Sequence, residues 1–312
     1  MKNILVPTDF SAIAHNAFLY ALEVAQQQGA QITLVHVFHY PILSPIPHQQ
    51  QVAIAMLEHK MLRKLEGFAN DTWQKFSASK KRANTKSGGT SASVKPVTIT
   101  PVCRFGLTVP EILQVIQEYK TDFVVMGMRG TGLLEQAFLG STTLQLIQQS
   151  HLPVMAIPAD QVFSGLKSIV FAVDLARFPT KQMLRPLQHL LAAFKCQLHV
   201  LHVYRSHIQK EEREKAFAAL NNVERYFHNL PYKLFFKEKE DVAEGILQYV
   251  ATEQADLLVL SPSQHSFLDR LLNKSVTGKV AAQASVPLLA LPGKAAPAFD
   301  STKTTKVLQE VA

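Results

Sequence analysis

The chain has 312 residues, 47% of them apolar and 18% charged, with a formal net charge of +8. That length suggests two domains of about 150 residues. The composition is that of a globular chain rather than a disordered or fibrous one, and no run approaches the roughly 20 apolar residues of a membrane span.

Asn3 to Val6 reads as a short buried strand, followed by the turn Pro7-Thr8-Asp9-Phe10-Ser11 with a helix N-cap candidate. Apolar periodicity predicts a helix over 12–28, stopped by Gly29. QITLVHVF, 31–38, is a second strand, and a long helix is expected from His48 to Phe76. The segment 79–96, SKKRANTKSGGTSASVKP, follows. It carries Lys80, Lys81, Arg82, Lys86 and Lys95 and no acid, so without these five the net charge is +3. Its Ser and Gly content favours a solvated basic loop over a nucleic-acid or membrane-surface contact. Strand Val97–Val102, helix Thr108–Lys120, strand Asp122–Met126, a mostly helical 133–150 and strand Pro153–Ile157 complete the first half.

Alternating strands and helices, with strands lacking strict polar alternation, imply a parallel sheet covered on both faces. Ligands of such sheets bind beyond the carboxyl ends of the strands, where strand order reverses. Asp9, Val37 and Gly127 all fall at such ends.

Residues 167–291 repeat the plan at a period near 165. Asp174 falls where Asp9 does, LHVLHV at 198–203 echoes LVHV at 34–37, and VPLLALP at 286–292 echoes LPVMAIP at 152–158. The fold class expected is α/β, two tandem doubly wound domains, each with a five-stranded parallel sheet: 1–160, 161–292 and a loosely ordered tail, 293–312. Cys103 and Cys196 lie in apolar runs and read as buried free thiols. MKNILVPTDFS enters a strand with no leader pattern, so a cytoplasmic protein is expected.

The stretch GMRGTGLLEQAFLGS, 127–141, links a buried strand to a helix start. Glycine lets main chain approach a ligand closely, and free N–H groups at a helix start favour an anion. The spacing Gly127, two residues, Gly130, nine residues, Gly140-Ser141 resembles the ATP-binding signature of the universal stress protein family, G-x2-G-x9-G-[ST]. VPTDFS, LVHV and Pro153-Val154 match further motifs of that family, and the resemblance spans about 290 residues.

The resemblance implies a Rossmann-like, adenine nucleotide α-hydrolase-like fold and an ATP site, AMP or ADP being alternatives. It places adenine on the main chain of Val37 and adenosine beside Pro7, Thr8 and Asp9. Met126 and Gly127 would flank the ribose, and Gly130, Gly140, Ser141, Thr142 and Thr143 would hold the phosphates. Arg129, between two glycines, could pair with phosphate oxygens. Asp9 and Ser141 each have a plainer role as helix caps, and Arg129 as a solvated cation. No acidic pair stands ready for a metal, so Mg2+ would be held by phosphates and water.

In the second half Ser261 and Gln264 stand where Gly127 and Gly130 stand, and no glycine matches Gly140. One site per chain, in the first half, is therefore expected. His265 and Lys274 read as a polar surface loop. Ser87 to Ser91 faintly resembles an SGGxDS loop but lacks its aspartate and its place after strand one. No Walker loop occurs, and the 12 histidines show no zinc spacing.

The sequence thus points to a stress-response or regulatory nucleotide-binding module read by an unknown protein partner, without catalytic residues and at most with slow ATP hydrolysis. An adenylyl-transferring enzyme of the same fold and a nucleotide-independent scaffold using the basic segment are the alternatives. The two last strands are expected to pair within one chain, and a further homodimer stays open.

Overall fold

The computed structural model describes residues 2–39, 47–86, 95–128, 140–206, 210–261, 280 and 283–292. The first half contains β1 (Asn3–Pro7), α1 (Ala12–Gln28), β2 (Gln31–Phe38), α2 (Pro47–Lys86), β3 (Ile99–Phe105), α3 (Thr108–Glu118), β4 (Phe123–Gly127), α4 (Ser141–Gln149) and β5 (Val154–Ile157). The second contains β6 (Ser168–Ala172), a 3-10 turn (Leu175–Arg177), α5 (Lys181–Phe194), β7 (Gln197–Tyr204), α6 (Lys210–Phe227), β8 (Tyr232–Glu238), α7 (Val242–Thr252), β9 (Leu257–Leu260) and β10 (Leu288–Ala290).

The strand order is β3-β2-β1-β4-β5-β10-β9-β6-β7-β8. Each half has the expected parallel, doubly wound order, reversing beside its first strand. The expected pair of five-stranded sheets is fused into a single one. β5 and β10 join antiparallel, with Leu288 opposite Ala156, Leu289 opposite Met155 and Ala290 opposite Val154. Because side chains alternate across a strand, the middle pair lies on one face, with α1, α2, α5 and α6. There Met155 and Leu289 share a cluster with Phe18, Phe123, Phe171 and Phe227, residues of both halves. On the opposite face Ala290 packs into the first half's cluster and Ala156 into the second's.

Local chemistry explains both ends of α1. Ser11 caps α1 by accepting from Ala14 N, and Gly29 ends it in the left-handed region at φ 64°. α2 departs from expectation. It runs to Lys86, ten residues beyond Phe76, so residues 79–86 of the supposed basic loop are helix. Lys80 pairs with Glu23 of α1 at 2.7 Å and lies over the Phe76 ring. Serine, alanine and lysine are tolerated in helices, and the first strong breaker after Phe76 is Gly88-Gly89.

At the amino edge each half uses one aspartate as a clamp. Asp122 Oδ2 accepts from Lys2 N at 2.7 Å and Asn3 N at 3.0 Å. Asp256 Oδ2 accepts from Lys167 N at 2.7 Å and Ser168 N at 2.9 Å. Hydrogen bonds to a charged group contribute more than neutral ones, so Asp122→Ala and Asp256→Ala are each expected to cost about 1–3 kcal/mol. Urea midpoints at constant m-value check this.

Candidate functional site

The carboxyl ends of β1, β2 and β4 converge at the first half's switch point. The loop after β1 is held by several bonds. Thr8 N donates to Val35 O at 2.8 Å, and the Thr8 hydroxyl accepts from Phe10 N at 3.1 Å. His36 Nδ1 lies 2.8 Å from Thr8 O, which requires the ring proton on Nδ1. Thr8 is buried, Pro7 half-buried and Asp9 exposed. Phe10 is left-handed at φ 62°, and its ring lies tilted against His36 with centroids 4.5 Å apart. The Asp9 side chain is not the helix cap: Ser11 is, and Asp9 Oδ1 instead accepts from Ser11 N at 3.0 Å. This turn presents the exposed carboxylate at the sheet's rim.

The β1–β2 ladder ends at the Pro7–Val35 pair. Main-chain groups alternate sides along a strand, and Val35 O points toward β1. The N–H and C=O of Val37 share that direction, past the end of the ladder. Met126 is buried with Leu5 and Val35, so its side chain belongs to the core and only its main chain reaches the rim.

At the other side of the switch, Met128 N donates to Ile157 O at 2.7 Å, and Gly140 N donates to Met128 O at 2.7 Å. This fixes the start of α4 against the end of β4. Gly140, not Ser141, occupies the cap position, with φ −58° and ψ 145° and no side-chain cap bond. Ser141 is exposed and Thr142 half-exposed in the first turn. The Thr143 hydroxyl is buried and donates to Gly127 O at 2.9 Å, so it pins the helix to the strand. Arg129 and Gly130 lie outside the described residues.

Met128 and Lys64 were not singled out by sequence reasoning. Lys64 Nζ stands 4.1 Å from the centroid of Phe10, bringing a cation from α2 to the first-strand loop. No local motif marks it, because the contact joins residues 54 positions apart. In the second half Asp174 caps the 3-10 turn through Ala176 N, and His202 Nδ1 approaches Val173 O at 3.1 Å, matching His36 and Thr8. The phosphate-loop counterpart, 262–279, including His265 and Lys274, lies outside the described residues. Among the described residues no group of His, Cys, Asp and Glu is placed to hold a metal ion, and no helix is long and apolar enough to cross a membrane.

Burial lowers the His36 pKa, opposed by the bond to Thr8 O and reinforced by Lys64. Burial also lowers His199, opposed by Glu253 and reinforced by Lys233. Each ring is harder to protonate folded than unfolded, where the pKa is about 6.5. Their stabilising contribution is therefore complete above about pH 6.5 and is lost as pH falls toward the lower folded values. The urea midpoint is expected to drop between pH 7 and pH 5, and less so in a His36→Gln/His199→Gln variant. An identical drop in that variant would assign the effect to other groups.

A model of the universal stress protein family matches residues 1–158 and 165–292. A universal stress protein of Synechocystis sp. is 24% identical over 304 residues, covering 93% of this chain and 99% of that protein. Another, from Methanocaldococcus jannaschii, is 26% identical over 158 residues, 50% of this chain and 94% of that protein. The crystal structure of a universal stress protein from Archaeoglobus fulgidus has a TM-score of 0.64 at 18% identity, covering 94% of this chain and 98% of that one. At that identity the likeness speaks for the fold.

Proposed function

Since the chain belongs to the universal stress protein family in both of its halves, we propose that it is a stress-response nucleotide-binding module holding one ATP at the carboxyl edge of domain 1. The domains are taken as 1–160 and 161–292. The observation that carries this is the start of α4, where a glycine cap supplies no side-chain acceptor and is fixed to the end of β4 by the Gly140–Met128 bond. First-turn N–H groups there suit a phosphate, since donors and the positive end of the helix coincide. The residues fit a nucleotide: Ser141 and Thr142 offer hydroxyls, Asp9 an exposed carboxylate for ribose or adenine, and Val37 main-chain groups past the end of the ladder. Arg129 and Gly130 complete the motif in sequence. Mg2+, when bound with the phosphates, would neutralise part of their charge.

Domain 2 keeps the aspartate and the histidine but not the glycines, which supports one site per chain. The role proposed is regulatory and cytoplasmic, with nucleotide binding favouring one conformation that a protein partner reads. Engagement of Lys80 by Glu23 favours a structural role for that part of the basic segment over a nucleic-acid contact. Mass spectrometry of the supernatant from denatured, purified protein tests the reading. Adenine nucleotide is expected at no more than one per chain. A chain that carries none and takes up none from millimolar ATP contradicts it.

A further inference from the structure

We propose a second ligand site, for a small phosphate-bearing anion, in the groove between the amino edge of the domain 1 sheet and α5. It lies at the opposite end of β1 from the nucleotide site and is independent of that reading. The groove has a volume of about 870 Å³, within the range of small-molecule pockets, which favour domain junctions.

Its polar lining combines two lysines with His189, Asn3, Thr98 and three glutamines. Lys2 and Lys95 enter from the residues leading into β1 and β3; the nearby Asp122 carboxylate is engaged by Lys2 N and Asn3 N. Neither lysine has an ion-pair partner among the described residues. Three amides are held in place around them: Gln26 Nε2 donates to Lys95 O at 3.0 Å, Gln28 Nε2 to His189 O at 3.2 Å, and Gln31 Nε2 to Asn3 Oδ1 at 2.7 Å. The carboxyl end of α1 also faces this region and opposes an anion. Its effect is about half an elementary charge, and the Asp122 carboxylate, which accepts from Lys2 N and Asn3 N, opposes an anion as well; the two lysine charges exceed both together.

The internal repeat supplies a second argument. Asn3 pairs with Gln31 as Ser168 pairs with Gln197, so Lys2 corresponds to Lys167 and Gln28 to Phe194. Gly29 and its counterpart Lys195 both end their helices in the left-handed region. On the domain 2 side, Phe163 of the connecting segment packs 5.8 Å from Phe194 and 4.8 Å from Tyr20, centroid to centroid. The counterpart of Gln28 is thus an aromatic ring packed against another in one half. The groove itself is lined by amides, lysines and the small side chains Ala25, Ala192 and Ala193. Packing alone would be served by the aromatic solution. Polar groups arranged around an open groove serve a polar ligand.

The test is an amide-resolved NMR titration of the full chain with inorganic pyrophosphate at low ionic strength. Saturable shifts are expected at Gln26, Gly29 and Thr98, with apparent affinity at least tenfold weaker in a Lys2→Gln/Lys95→Gln variant. Both side chains project from the sheet edge rather than the core, and an otherwise unchanged spectrum verifies the fold. Absence of saturable shifts there, movement confined to Gly140–Thr143, or equal affinity in the variant would overturn the proposal.

Discussion

Gly140→Val is expected to weaken ATP binding at least a hundredfold, about 2.8 kcal/mol, while the protein stays folded. Backbone demand and ligand demand differ at this position. At φ −58° and ψ 145°, position 140 imposes no conformation that requires glycine. Valine there forfeits no side-chain cap, because glycine provides none, and a poorer cap residue costs about 0.5–2 kcal/mol. What valine adds is bulk in front of the first-turn N–H groups, where a phosphate oxygen would have to sit. Thr143→Val is the contrasting variant. It removes the buried bond to Gly127 O and should lower stability by about 1–3 kcal/mol. Calorimetric affinity and thermal midpoint measured on both variants separate the two effects. Unchanged affinity in Gly140→Val would remove the phosphates from the start of α4.

The second large effect concerns the seam between the halves. Leu289→Asp should abolish the folded state or cost more than about 4 kcal/mol. Leu289 is fully buried opposite Met155, in the cluster that contains residues of both domains. An unpaired carboxylate in such a place must either remain charged in an apolar setting or take up a proton, and both are costly. The milder Leu289→Ala creates a cavity and is expected to cost about 2–5 kcal/mol. Because one cluster spans the seam, that loss should shift a single unfolding transition. Two transitions, with the first half unmoved, would show that the halves are energetically separate.

Much of this architecture was legible in the residues. Buried apolar runs, the Gly29 stop and the repeated LP/VP endings were local signals, and the structure places strands and helices accordingly. The β5–β10 junction followed from the family resemblance and the duplication together. At two places the structure departs from these signals. Composition suggested that Ser79–Lys86 was loop, but Glu23 on another helix and the Phe76 ring hold Lys80 in helical continuation. Asp9 looked like the cap because aspartate is a good one. The chain makes an extra left-handed step at Phe10 and hands the cap to Ser11. Lys64 and the amino-edge groove carried no sequence signature, being assembled from segments brought together only by the fold.

The most direct test of the account is isothermal titration of nucleotide-free protein with ATP and magnesium. Saturable heat is expected with one ATP per 312-residue chain, absent in Gly140→Val. No heat, or undiminished binding in that variant, would contradict it.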